Sequence, residues 1–294
     1  MSANAHDTHG HYFVPEPSRH PAMASLGLFF VMFGAVQWVN DTSWGKYSVL
    51  LGFVIFLIVL AQWFTDAISE SEGGQYAMNV DRSFRWSMSW FIFSEVMFFS
   101  AFFGALWWAR VHSIPGLGSG DTMGILWPDF KAAWPTTVPG ATTSPAGTID
   151  KFEIMSPLGL PTVNTALLLT SSVTVTIAHH AVRAAERSKA ITYMWATVAL
   201  GVIFLFCQGY EYHHAYSELN LKLSSGVYGS TFFMLTGFHG FHVFLGTLML
   251  LFITLRLQRG HFTADRHFGF EGASWYWHFV DVVWLCLYIL VYWL

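Results

Sequence analysis

Six stretches of this 294-residue chain are apolar over the length a helix needs to cross a bilayer: Ala22–Val39, Tyr47–Phe64, Trp86–Ala109, Ile191–Tyr210, Tyr228–Leu255 and Gly272–Leu294. A hydrocarbon core about 30 Å thick takes roughly 20 residues at about 1.5 Å each. A seventh stretch, Pro161–Val182, is diluted by Thr and Ser. Those hydroxyls can bond back to helix carbonyls, so lipid tolerates them. Without it, both flanking loops would fall on one side of the membrane. The expectation is an all-α polytopic membrane protein with seven transmembrane helices.

Composition agrees. Charged residues make up 11% of the chain and hydrophobic ones 54%, whereas soluble domains are about a quarter charged. A net charge of −4 and the lack of any Lys/Arg-rich run argue against a nucleic-acid partner. Cys207 and Cys286 lie inside apolar runs. Two such residues make neither a disulfide framework nor a metal motif, and they read as small buried apolar groups. Residues 1–20 are polar, rich in His and Pro, and lack a basic segment before an apolar core. They read as a tail rather than a secretory signal, with the first span as a retained anchor. The chain thus divides into a His-rich tail (1–20), a two-helix segment (21–68) and a five-helix segment (84–294). The last contains a Pro/Gly-rich external loop (111–160), an irregular connection rather than a domain.

Basic residues set the orientation. With the N-terminus cytoplasmic, the inner segments hold Arg19, Arg82, Arg85, Arg183, Arg187, Lys189, Arg256, Arg259 and Arg266. The outer segments hold Lys46, Arg110, Lys131, Lys151 and Lys222. The bias favours N-inside and C-outside.

Few residues offer chemistry. Glu95 sits mid-span, in Phe93-Ser94-Glu95-Val96-Met97. A carboxylate at that depth costs about 3 kcal/mol on insertion scales, so the expectation is a buried, neutral carboxyl that a hydrophobic carbodiimide labels. It serves either as a hydrogen-bonded structural group or as a proton or ligand site. His239 and His242 are three apart on one helix face, at a similar depth, and are its possible partners. Haem ligation by such histidines is the competing reading, though it needs facing His on two helices at matched depth. His278 and Asp281 are expected to pair with each other. His6, Asp7, His9 and His11 titrate near neutral pH; they form either a proton-collecting antenna or a solvated tail of no consequence. Gly229, Gly237, Gly240 and Gly246 permit close helix approach. No CxxC, phosphate loop, nucleophile–His–acid arrangement or metal cluster is visible in the spacing, so no catalytic or metal residue is assigned.

Several runs resemble one family. Arg85-Trp86-Ser87-Met88 leading into Ser94-Glu95-Val96-Met97-Phe98-Phe99 is similar to the third helix of cytochrome c oxidase subunit III. Leu160-Pro161-Thr162-Val163-Asn164-Thr165, Ala178-His179-His180, and Gln208 with Glu211-Tyr212 also match that family. The most specific runs are Gly226 to Phe233 with Thr236-Gly237-Phe238-His239-Gly240, and His267 to Glu271 with Trp275 to Trp284. The chain is identified as a member of that family, of bacterial type, over nearly its whole length.

The resemblance implies an accessory subunit of a proton-pumping oxidase in the cell inner (plasma) membrane, with no redox centre of its own. Haem a and the haem–copper site would lie in subunit I. Copper in subunit II would take electrons from cytochrome c, which this chain meets only indirectly. The first two helices would splay from the other five around a phospholipid-filled cleft. Trp63, Glu70, Phe91, Arg256, Arg259 and His261 would bind lipid, and Glu95 would be the carbodiimide-reactive carboxyl. The subunit would support proton uptake and the stability of subunit I. The extended loop, Ser172 and Ser225 depart from the family pattern. A quinol-oxidase subunit III is the alternative, although relatives of that kind usually lack the first two helices. A membrane b-type haem carrier is the remaining one.

Overall fold

The structure, a computed structural model, describes residues 17–119, 130, 132–136 and 152–293. Among these residues, seven helices are long and apolar enough to cross a membrane: α1 (His20–Val39), α2 (Gly45–Glu72), α3 (Met78–Gly118), α4 (Leu160–Arg183), α5 (Arg187–Ser217), α6 (Val227–Arg259) and α7 (Phe268–Trp293). The described residues contain no strand.

Each helix runs past the apolar stretch that announced it. Hydropathy marks the part that faces lipid, whereas the helix continues wherever its backbone bonds can. Thus α2 extends beyond Phe64 through Asp66 and Glu70 to Glu72, and α3 begins at Met78. The external loop, expected from Val111, starts later. α3 passes through a π-helical turn at Ala109–Ser113 and regains α geometry over Ile114–Gly118. Pro115 is tolerated because it enters at the start of that renewed turn, where no donor is needed. α7 also ends in a π-helical segment, Tyr288–Trp293.

The chain forms two units, Met1–Phe84 and Arg85–Leu294. In the first, α1 and α2 make an antiparallel hairpin whose backbones nearly touch. Gly27 and Gly34 on α1 face Gly52 and Gly45 on α2, each pair seven residues, or about two turns, apart. A Cβ on Gly34 would lie 2.6 Å from the Val49 nitrogen, and one on Gly52 would lie 2.5 Å from the Gly27 carbonyl oxygen. At the far end from the turn, His20 bonds Asp66 at 2.8 Å. Lipid gives apolar side chains no reason to leave it, so small residues and close backbone contact hold such pairs together.

In the second unit, the core between helices is aromatic: Trp277, Trp284, Phe99, Phe204 and Phe232 are almost wholly buried. The hydroxyls that weakened α4 as an apolar stretch do two jobs. They bond back to carbonyls one turn earlier: Thr165 to Pro161 at 2.8 Å, Thr170 to Ala166 at 2.7 Å and Thr176 to Ser172 at 2.8 Å. They also receive the indoles of α7. Trp277 Nε1 donates to Ser171 Oγ, and Trp284 Nε1 to Thr165 Oγ1, each at 2.9 Å. Of the four α6 glycines expected to permit close helix approach, Gly246 does so against α7, whereas Gly229 packs on Lys222 and Ser225 in the loop before its own helix. A Cβ on Gly246 would lie 2.9 Å from the Trp277 ring. Gly237 and Gly240 sit at no close approach: the nearest atoms a Cβ would meet are the Tyr212 hydroxyl at 3.5 Å and Gln208 Cγ at 4.0 Å.

Ser171→Ala should strand the Trp277 N–H in a site with no exposed surface, at a cost of about 1–3 kcal/mol. Reversible unfolding in mixed detergent measures this, and a variant as stable as the parent would contradict the assignment.

Candidate functional site

The polar centre of the second unit is built by α3 and α6. Phe98 and Phe99 of α3 pack on Phe238 and His242 of α6, with ring centroids 5.0 Å apart in the Phe98–Phe238 and Phe99–His242 pairs. That packing brings Glu95 Oε2 to 2.9 Å from His242 Nε2. The other ring nitrogen, Nδ1, lies 2.6 Å from the Phe238 carbonyl oxygen. A carbonyl only accepts, so Nδ1 carries hydrogen. If the ring is neutral, Nε2 is then bare, and Glu95 must donate a carboxyl proton to it. Otherwise the ring is an imidazolium facing a carboxylate. Either way one proton lies between the two groups and the pair has no net charge. It can hold or relay a proton without leaving an isolated charge in lipid, whose cost is on the order of 3 kcal/mol.

Glu95, expected to be buried, is half-buried within this chain. Its side chain is 22% exposed within this chain, against 11% for His242. α3 carries it on the flank of the bundle, beside exposed Phe91 and Val96.

His239 is not a partner of Glu95. Three residues at 100° each turn it about 60° from His242, toward α7, where its Nε2 meets the Val280 carbonyl oxygen at 3.2 Å. Nor do His278 and Asp281 bond each other. The hydroxyls of α4 draw His278 away: Ser172 Oγ is 2.6 Å from Nδ1 and Thr176 Oγ1 is 3.4 Å from Nε2. Asp281 is buried beside Ser172, and neither of its oxygens completes a hydrogen bond among the described residues.

One polar cluster escaped the sequence reading. Glu211 of α5 has no exposed surface. It accepts a hydrogen bond from the Tyr292 hydroxyl and one from Asn164 Nδ2 at 3.4 Å, joining α4, α5 and the end of α7. The signal was present: the buried face of α5 recurs at Val198, Gly201, Phe204, Gln208, Glu211 and Ala215, and Glu211 continues that period.

The residues expected at lipid divide between the units. In the first, Trp63 is 56% exposed, and Glu70 Oε2 accepts from the Tyr76 hydroxyl at 2.6 Å. Burial, then the bond to Glu70, push the Tyr76 phenol well above its ordinary value. In the second, Phe91 stacks on Tyr276 at 6.1 Å. The Arg256 guanidinium lies 4.7 Å over Phe262, and the His261 amide closes α6 on the Arg256 carbonyl. Arg259 is exposed beside them. Arg187 of α5 donates to the last carbonyls of α6, at Leu257 and Gln258, a cap that spacing alone does not reveal. His6, Asp7, His9 and His11 lie outside the described residues.

The one-proton pair makes a specific claim about Glu95. Glu95→Gln keeps a donor toward His242 Nε2 and should assemble at parent levels. Glu95→Leu leaves that nitrogen unpaired, at about 1–3 kcal/mol, and should assemble poorly. A hydrophobic carbodiimide, which needs the protonated acid, should modify Glu95 in the parent. Peptide mass spectrometry that finds other carboxyls labelled and Glu95 untouched would sink the reading.

Comparison with known proteins covers the whole of this architecture. The family model described as cytochrome c oxidase subunit III matches residues 9–130 and 121–294. Cytochrome c oxidase subunit 3 of Gadus morhua is 41% identical over 289 residues, and that of Dugong dugon 38% identical over 289 residues. The subunit 3 of Struthio camelus is 39% identical over 290 residues. Each alignment covers 98% of this chain and 98% of the relative. With seven membrane-crossing helices and matches of that extent, the chain belongs to the cytochrome c oxidase subunit III family.

Proposed function

We propose that this chain is the accessory subunit of a proton-pumping cytochrome c oxidase and carries no redox centre. Family membership implies a complex with other oxidase subunits. In this reading they are subunit I, with haem a and the haem–copper site, and subunit II, with the copper centre that cytochrome c reduces. The chain sits in the plasma membrane with its N-terminus cytoplasmic and its C-terminus periplasmic, as the basic residues favour. Its work is to sustain proton uptake and to protect subunit I during turnover, with bound phospholipid as part of the structure.

The observation that carries this reading is the use made of the intramembrane imidazoles. A haem ligand needs a ring nitrogen free to bind iron. Both nitrogens of His242 and both of His278 are engaged by protein groups; His239 Nε2 faces a carbonyl, and its unpartnered Nδ1 belongs to a ring packed on Phe204 and Trp284 rather than on a second imidazole. These histidines are spent on structure and on one carboxyl.

Stripping the chain from the purified oxidase should therefore leave haem reduction and the initial rate largely intact. Activity should then decay over successive turnovers faster than in the parent. Immediate loss of haem reduction in the stripped enzyme would overturn the accessory role.

Lipid gives a separate test. Arg256 and Arg259 end α6, where cations attract anionic headgroups. Replacing both by Ala should lower the phospholipid that co-purifies with the oxidase, as counted by phosphorus analysis. Unchanged lipid content in a fully assembled variant would remove these residues from the headgroup site.

A further inference from the structure

Where α4 ends and α7 begins, three potential metal ligands converge that lie far apart in sequence. A ligand atom from each of His179, His267 and Glu271 lies within 4.8 Å of the others. His179 stands just before the last turn of α4. His267 is the residue before α7, and its carbonyl accepts the Phe270 and Glu271 amides, which fixes it against the first turn. The two rings face each other at 5.4 Å, and Phe270 stacks on His179 at 5.7 Å.

The convergence of three ligands, two of them with an unpartnered ring nitrogen, singles the cluster out. His179 Nε2 and His267 Nδ1 are both buried, and neither has a hydrogen-bond partner among the described residues. A buried imidazole nitrogen without a partner is costly, and paired native sites are the rule. Two of them beside one carboxylate make a ligand set rather than a packing accident. Glu271 Oε2 is bound by Arg85, whose guanidinium lies 5.7 Å over Phe268. That leaves Oε1 for a metal and holds the carboxylate in a fixed orientation, the usual role of an outer partner at a metal site.

We propose that His179, His267 and Glu271 form a binding site for a divalent transition-metal ion of the zinc class. Two neutral imidazoles and a carboxylate are the donors such an ion prefers, with water in the fourth position. Zinc holds N and O ligands at about 2.0–2.2 Å, so tetrahedral neighbours stand roughly 3.4 Å apart. The ligand atoms, now within 4.8 Å of one another, would have to close by at most about 1.4 Å to reach that spacing. Arg85, and Arg183 near His179, oppose a cation. The site therefore loads reversibly from solution and is emptied by a chelator. An ion here ties α4 to α7 and, through Arg85, to α3.

The test uses the whole oxidase, prepared with saturating zinc sulfate and separately with EDTA, and compares cryo-electron-microscopy difference maps. Density bonded to the three side chains with zinc and absent with EDTA is expected. No zinc-dependent density there, with zinc visible elsewhere on the complex, overturns the proposal. Equilibrium dialysis with radioactive zinc gives the second arm. Assembled oxidase carrying His267→Asn or Glu271→Gln should bind one equivalent fewer than the parent. Equal stoichiometry and affinity in parent and both variants also overturns it. Should neither variant assemble, the parent's maps decide alone.

Discussion

A bilayer core has no water to satisfy a polar group, and that single deficit organises this molecule. Backbone groups meet it by forming helices, the only open structure lipid allows. Side chains meet it in pairs that cross between helices. The indoles of Trp277 and Trp284 find hydroxyls on α4, Tyr292 and Asn164 find Glu211, and His242 finds Glu95. Each pair is a directional tie where burial of apolar surface supplies little driving force. The first unit solves the same problem differently. Having few polar groups to pair, α1 and α2 bring glycines together until backbone touches backbone.

The seven spans were legible because length and hydropathy are set by the bilayer itself. Even α4 was readable, since the feature that diluted it, its hydroxyls, is tolerated for a known reason and proves to be the socket for two tryptophans. Helix ends were not legible. Polar helix formers such as Glu70 and Glu72 continue a helix into the interface without an apolar signal, and the π-helical turn at Ala109 leaves no pattern in composition. Glu95 announced itself as a lone carboxyl in apolar surroundings. The choice between His239 and His242 did not, because both lie on one face and about 60° of rotation decides which helix each meets. The His278–Asp281 pairing failed for a related reason. Spacing on one helix cannot foresee that a neighbouring helix offers better partners, here Ser172 and Thr176. Glu211 was overlooked because it stands near a span end, where carboxylates are ordinary, although the period of α5 points it inward.

The two membrane glutamates show how a partner decides what a buried carboxyl can do. Glu211 is sealed from every side, and its partners, a phenol and an amide, keep their protons near neutral pH. Bonded to Asn164 and Tyr292, it works as a clamp on three helices. Glu95 faces an imidazole, the one side chain whose ordinary titration falls near neutral pH. Its carboxyl remains 22% exposed at the edge of this chain. The proton between Glu95 and His242 can sit on either group at no change in net charge. The same residue type, at two sites in one bundle, thus meets a phenol and an amide in one place and an imidazole in the other. The difference lies in the partner, not in the glutamate.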